Sequence, residues 1–377
     1  MSILDSQQKR ASMNFGSLAS TTGTNPSQNT NRRALVDISN KTASTMNSIQ
    51  NVAITQKPTI PTMVKPNNST TVKKETSYTS PVRKNAVDAM IMSPKVDASD
   101  ADKPESCVEY VKDIFSHYRS IETKYMPNPN YMTFQRNFNE QTRVLTINWL
   151  LNVHNHFELS PETMFLCVNI FDRFLSAHPD VALEKIHLVA VTSLFIATKY
   201  EEVKPLLTEH VIKITRKMYS KEEILHMERL ILKTLDFNLT IASSNVFLKR
   251  YLKCSVQFDD VQVFIASFVN EMTLYDMNML NYTPSTVACA AIYVARSLRK
   301  LGEKWNSNLI YYTGKTEEEI LPCARQIYYF MKHFCNTLYF EGGRKPDRNF
   351  LLYRYGKEDR LRISESIRHV FSQKRKE

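Results

Sequence analysis

The stretch LVAVTSLFIATK, Leu188 to Lys199, is apolar nearly all round and ends on a lysine, and TVACAAIYVARS, Thr286 to Ser297, repeats its character 98 residues later. Runs so uniformly apolar over three turns describe helices wrapped by other helices. Each places alanines seven apart, Ala190 with Ala197 and Ala288 with Ala295. Small residues two turns apart let neighbouring helices approach closely, so the spacing predicts a duplicated bundle of about five helices per copy. Two unrelated core helices would give the same two words, so the duplication has to be judged from what surrounds them.

Lys199 falls in line with Leu188, Val191 and Phe195, and Glu228 falls between Leu225 and Leu232 on a second apolar stripe. Long charged residues are seldom buried unless paired. A cation and an anion set into two such stripes therefore predict a prepared polar pair, either internal or offered to a partner. Further stripes run through Met164, Val168, Phe171 and Leu175, and through Ile224, Met227, Ile231 and Leu235. Ser160 before Pro161 reads as an N-cap with proline at the first helical position.

Composition narrows the function classes. Of seven glycines only Gly16 and Gly23 precede Gly302, which excludes phosphate-cradling loops from the long stretch between them. Cysteines 107, 167, 254, 289, 323 and 335 contain no C-x-x-C pair and read as reduced core thiols. The histidines have no nucleophile or metal-ligand companions, His154 and His156 standing on different helix faces. No cofactor, metal or catalytic constellation is expected. The longest apolar run is about half of what a bilayer requires, so a soluble intracellular chain without membrane contact is expected. Up to about residue 100 the chain carries Phe15 and Tyr78 as its only aromatics, with twelve Lys and Arg against six Asp and Glu, about half of the net charge of +11. Such a segment cannot offset its ordering entropy and is expected to be a disordered tail, its charge serving solubility or import rather than direct nucleic-acid binding.

The words around the two charges resemble those of the cyclins, above all the mitotic B-type group. TRVLTINWLLNVHNHFELSPETMFLCVNIFDRFLS from Thr142, IATKYEE from Ile196 and HMERLILKTLDFNL from His226 resemble the first cyclin box. NEMTLYDMNMLNYTPSTVACAA from Asn270 and KWNSNLIYYTGKTEEEIL from Lys304 resemble the second. The resemblance implies an all-α protein with a tail over 1–103, an N-terminal helix (YVKDIFSHYRSIE) and linker over 104–138, five-helix boxes over 139–239 and 240–340, and an extension over 341–377. It further implies a non-catalytic subunit that binds and activates a cyclin-dependent serine/threonine kinase. Lys199 and Glu228 match the family pair that hydrogen-bonds the kinase, with Tyr200, Glu201, Leu232, Phe237 and Leu239 at nearby interface positions. Arg143 matches the arginine beside the box tryptophan, Trp149, and Asp172 its acidic partner position. Asn148 stands where the family has an aspartate. A substrate-docking patch would use Arg143, Trp149, Thr142 and Thr146, and is expected to be weak because the two threonines replace large apolar residues.

In the tail, RRALVDISN places Arg32, Leu35, Asp37, Ile38 and Asn40 as in the destruction box of mitotic cyclins, which implies the anaphase-promoting ubiquitin ligase as a partner, with Lys41, Lys57 and Lys65 as nearby acceptors. Ser80-Pro81-Val82-Arg83 and Ser93-Pro94-Lys95 are candidate sites for proline-directed kinases. Nuclear and cytoplasmic residence is expected, with Lys73, Lys74, Arg83 and Lys84 available for import. The rival reading is a cyclin-fold transcription regulator, or a general transcription factor binding DNA through basic helix faces. The latter carries an N-terminal zinc ribbon, whereas no cysteine precedes Cys107. A helical scaffold without a kinase is the third reading.

Overall fold

The computed structural model describes residues 96–255, 259–300, 302–334, 339–340 and 347–373. Helix α1 (Val111–Ile121) precedes a first set of five: α2 (Glu140–His156), α3 (Pro161–Ala177), α4 (Leu183–Glu201), α5 (Thr208–Ile214) and α6 (Lys221–Thr234). The linker through Ala242 leads to a second five: α7 (Ser244–Cys254), α8 (Asp260–Met272), α9 (Pro284–Leu298), α10 (Ser307–Thr313) and α11 (Glu317–Phe334). A two-residue antiparallel pair, β1 (Tyr339–Phe340) with β2 (Asp347–Arg348), and helices α12 (Phe350–Tyr355) and α13 (Ile363–Gln373) follow. The duplicated five-helix expectation is met.

The two quoted words are the central helices. In α4 every residue from Leu188 to Thr198 is buried, and in α9 Ala288, Ala291 and Ala295 are fully enclosed. Helix α4 packs on α2, α3 and α6, while α9 packs on α7, α8 and α11. The alanines allow this approach because they carry no side chain beyond Cβ to hold neighbours apart. Both secondary stripes are buried in full.

Helix starts follow local chemistry. Asn139 Oδ1 accepts from the Thr142 amide at 3.0 Å, and Ser220 with Glu223 forms a reciprocal capping box. Ser160 holds the N-cap position of α3 as expected, but its hydroxyl meets that of Thr163 instead of a backbone amide. The carboxylate of Glu202, just after α4, takes over: Oε1 accepts from the Ser160 amide at 2.7 Å and from Thr163 Oγ1 at 2.5 Å. Burial opposes its charge, yet these bonds hold its carboxyl below the usual range.

A buried ion pair of the first box reaches into the second, beside the contacts of Glu162 with Asn245 and Lys249 and of Asn148 with Tyr275. Arg143 donates to Asp172 through Nε at 2.9 Å and Nη2 at 2.7 Å, with both side chains 1 % exposed. Tyr131, ahead of α2, donates to Asp172 Oδ1 at 2.8 Å, and Arg143 Nη1 reaches the carbonyl of Leu274, beyond α8, at 3.0 Å. Burial alone would disfavour the guanidinium charge, but Asp172 raises the Arg143 pKa above its ordinary value. Glu122, at the end of α1, accepts from the amide and hydroxyl of Ser285 at 2.8 and 2.9 Å, capping the first turn of α9. Asn148 accepts from the Phe350 amide at 3.0 Å, tying α2 to α12, and so makes a neutral bond at the position where the family has an aspartate.

Two expectations change. The stretch read as tail to residue 103 is folded from 96 onward: Asp97 pairs with Arg250 and Lys253, and Asp100 with Lys253, because acidic residues there meet a basic face of α7. Cys107 is exposed, with φ at +46°, and is no core thiol, whereas Cys167, Cys254, Cys289 and Cys323 are buried and unpaired; Cys335 lies outside the described residues.

Removing one member of a buried ion pair strands the other, at a cost of about 3–5 kcal/mol. Asp172→Asn is therefore expected to lower the urea-unfolding free energy by that amount, while Lys103→Ala, at an exposed pair with Asp100, leaves it within about 0.5 kcal/mol.

Candidate functional site

The last turn of α4 emerges from the core at Lys199, and its ammonium meets Glu228 of α6: Nζ to Oε1 is 2.7 Å. The side chains are 43 % and 13 % exposed, so the pair is formed within the chain and remains open to solvent. Lys199 Nζ also lies 3.9 Å from the centre of the Phe195 ring, whose face attracts a cation. Leu232 is one turn beyond Glu228 and is half-buried.

Helix α6 ends in a turn that turns apolar groups outward. Asp236 and Phe237 both take left-handed backbone conformations, φ +49° and +56°, which cost non-glycine residues energy and persist only where the surroundings impose them. Here the Phe237 amide donates to the Leu232 carbonyl at 2.9 Å, Arg173 Nη1 donates to the Asn238 carbonyl at 2.9 Å, and the Tyr125 hydroxyl donates to Asn238 Oδ1 at 3.3 Å. Phe237 is thereby left 67 % exposed, with Leu239 half-buried beside it. Tyr200, 46 % exposed, shares a 2.5 Å hydrogen bond with the Thr240 hydroxyl, fixing the end of α4 to the segment after this turn. The structure thus collects Lys199, Glu228, Leu232, Phe237, Leu239 and Tyr200 on the α4 and α6 ends. Glu201 is exposed at the terminus of α4, where partial loss of hydration, then the nearby Glu162 and Glu202, raise the pKa of its carboxyl.

Sequence reading missed Arg173, Asn238 and Thr240, which set this surface. Arg173 lies on α3, where its tie to Asn238, 65 residues on, leaves no mark in the local pattern, and Asn238 and Thr240 lie in irregular backbone after α6, where side-chain periodicity carries no signal. Exposed Val203 and Leu207, just past α4, were missed for the same reason.

The proposed docking patch needs a correction. Arg143 is enclosed by Asp172 and the second box, so it cannot face a peptide. Thr142, Thr146 and Trp149 do share a half-buried face of α2. Thr146 Oγ1 donates to the Thr142 carbonyl at 2.8 Å, and Trp149 packs on His187 with ring centres 4.1 Å apart. The Arg32 to Asn40 word and Ser80 and Ser93 lie outside the described residues. Among the described residues no three His, Cys, Asp or Glu side chains gather as a metal would require, and no helix is long and apolar enough to cross a membrane.

With this geometry the comparisons agree. The model for the cyclin N-terminal domain matches residues 113–240 and that for the cyclin C-terminal domain matches 242–338. The chain belongs to the cyclin family. Cyclin-B2-4 of Arabidopsis thaliana is 40 % identical over 232 residues, covering 62 % of this chain and 54 % of the relative. Cyclin-B1-1 of the same plant is 34 % identical over 301 residues, covering 78 % of this chain and 69 % of the relative. The chain spans about half the length of Cyclin-B2-4 and of Cyclin-B2-3, 54 % of each. The X-ray structure of a viral cyclin from herpesvirus saimiri shares the fold, with a TM-score of 0.51 at 15 % identity over 58 % of this chain and 96 % of the viral one.

His154 gives a pH test of the first box. Its Nε2 donates to the Ser160 carbonyl at 2.8 Å, its Nδ1 is buried without a partner, and burial pushes its pKa down from 6.5 to about 4. The folded state keeps the ring neutral in a range where the unfolded chain takes up a proton. Its contribution is therefore complete above pH 6.5 and is lost as pH falls toward 4, by about 3 kcal/mol. Urea melts from pH 7 to 4 are expected to show that loss in the wild type and a correspondingly smaller one in His154→Gln.

Proposed function

We propose that the chain is a non-catalytic activating subunit of a cyclin-dependent serine/threonine kinase, acting at the passage from G2 into mitosis. The observation that carries this reading is the Lys199–Glu228 pair, formed in advance and set among exposed apolar side chains. A partner meeting this surface finds Phe237, Tyr200 and Leu239 to bury and two polar heads to fix register, with little side-chain ordering left to do. The names of the relatives, B-type cyclins and G2/mitotic-specific cyclins, support the same reading. The kinase and its substrates are the partners of this activity, and residence in nucleus and cytoplasm goes with it. Nothing in the geometry favours the transcription-factor reading over this one.

The charge swap Lys199→Glu with Glu228→Lys separates the internal role of the pair from its external one. It restores an ion pair within the chain, so the melting curve is expected to move little. Because a partner now meets inverted charges, about 2–5 kcal/mol of binding is lost. Co-purified kinase activity on a Ser-Pro-x-Lys peptide is expected to disappear; full activity of the folded swap variant rejects the interface.

Destruction through Arg32, Leu35, Asp37, Ile38 and Asn40 by the anaphase-promoting ubiquitin ligase completes the proposal. The support is the word itself, which presents a cation, an apolar anchor and a terminal amide at the family spacing. Arg32→Ala with Leu35→Ala is expected to lengthen the protein's lifetime at mitotic exit and leave kinase binding unchanged, as read from a decay curve in synchronised cells. Ser80 and Ser93 belong to this proposal as phosphorylation sites, to be read by mass spectrometry of the same samples.

The α2 patch is proposed to be a poor docking site. Each large apolar side chain replaced by threonine removes about 1.5–3 kcal/mol of burial, and two together suffice to erase a micromolar peptide interaction. Titration with an Arg-x-Leu peptide is expected to show no binding at low micromolar concentration. Binding there, lost on Trp149→Ala, would sink this part of the reading.

A further inference from the structure

Helices α9, α11 and α13 line a cleft of about 510 Å3 that opens to solvent. Val294, Leu298, Leu321, Ala324 and Val370 give it apolar walls, and Tyr293 and Tyr328 add two rings. Sites that enclose most of a drug-sized ligand measure roughly 300–1,000 Å3, so this cleft has room for more than one peptide side chain. Its charged lining decides what the rest of an occupant must carry.

Lys300 and Arg325 are the charged lining residues, and both are exposed cations. Neither forms an ion pair among the described residues. Lys300 stands just past α9 with φ at +54°, its amide donating to the Ser297 carbonyl at 3.1 Å, and a cation there also complements the helix end. Arg325 has no such reason, because it lies in the middle of α11. Lys304 adds positive charge 5.9 Å from the centre of the Tyr293 ring. The neighbouring hydroxyls are committed: that of Tyr293 donates to Glu317 at 2.6 Å, and that of Ser297 to the Tyr293 carbonyl at 2.8 Å. The cleft therefore presents apolar surface beside two cations that lack a counter-charge. Lys374, Arg375 and Lys376, which follow α13 in sequence, have the same sign and do not complement it. A nucleic-acid strand calls for a track of cations along its backbone, which two cations beside apolar walls do not make.

We propose that the cleft of α9, α11 and α13 docks a short acidic segment of a partner protein. Leu, Phe or Tyr side chains of that segment enter between the helices, and its carboxylates meet Lys300 and Arg325. Burial supplies the attraction, while the paired charges set the direction of the segment and disfavour basic competitors. The site uses no residue of the Lys199 and Glu228 surface and needs no kinase.

The test pans the full chain, without a kinase, against a phage-displayed library of random dodecapeptides. The wild type is set beside the double variant Lys300→Glu with Arg325→Glu, whose folding is checked by its melting curve. Peptides retained by the wild type and not by the variant are expected to carry Asp or Glu around Leu, Phe or Tyr. The best of them, synthesised with a fluorescent label, is expected to lose at least tenfold in affinity on the variant. A loss of the same order is expected when its acidic residues become Gln or its apolar residues become Ser. Three results overturn the proposal: no peptide that distinguishes the two chains, a distinguishing set that lacks acidic or apolar residues, or displacement of the peptides by a single-stranded oligonucleotide pool at lower concentration. Both substituted side chains are exposed, and Arg325→Glu alone decides if the double variant does not fold. Because no kinase is present, failure here leaves the activating-subunit reading standing.

Discussion

A guanidinium with no access to water must have every donor directed, and the Arg143 side chain is placed so that its donors tie three parts of the chain together. Asp172 supplies the counter-charge from α3, Tyr131 adds its hydroxyl from the segment before α2, and the Leu274 carbonyl comes from the second box. A buried pair of this kind gives weak net stabilisation relative to an apolar replacement, because desolvation consumes most of the attraction. It is demanding about geometry instead: a shift of the second box would leave a buried charge without its carbonyl. Glu122 acts likewise on α9, capping its first turn from outside both boxes.

The surface pair follows a different rule. Lys199 and Glu228 keep contact with water, so neither suffers full desolvation, and their bond orders two long side chains beside Phe237 and Tyr200. The core pair holds the boxes, and the surface pair is free for recognition. That division explains why Arg143, although adjacent in sequence to the α2 patch, has no part in it.

Much of this was legible in the order of residues. The central helices, the duplication and the buried stripes follow from 3.6-residue periodicity, which survives because each helix buries a continuous face. Lys199 and Glu228 stood out because charge interrupts that pattern. What periodicity could not show lies in turns and in pairings between distant segments. Phe237 is exposed by a left-handed turn held by Arg173 and Tyr125. Asp97 and Asp100 looked like tail residues until Arg250 and Lys253 appeared opposite them. The partners of Arg143 in the second box are likewise invisible without coordinates, and its pairing with Asp172 was legible only through family resemblance.

The long-range ties among the boxes and the segments that flank them also constrain how the chain reaches this state. Glu122 and Ser285 are 163 residues apart, Arg143 and Leu274 131, and Asn148 and Phe350 202. Closing such loops costs chain entropy before any of the three contacts forms, whereas each five-helix set assembles from short-range contacts. The sets can therefore collapse early and dock late. In that interval the surfaces that later meet at Arg143 and Glu122 stand open to water, and the nascent chain is at its most exposed to aggregation.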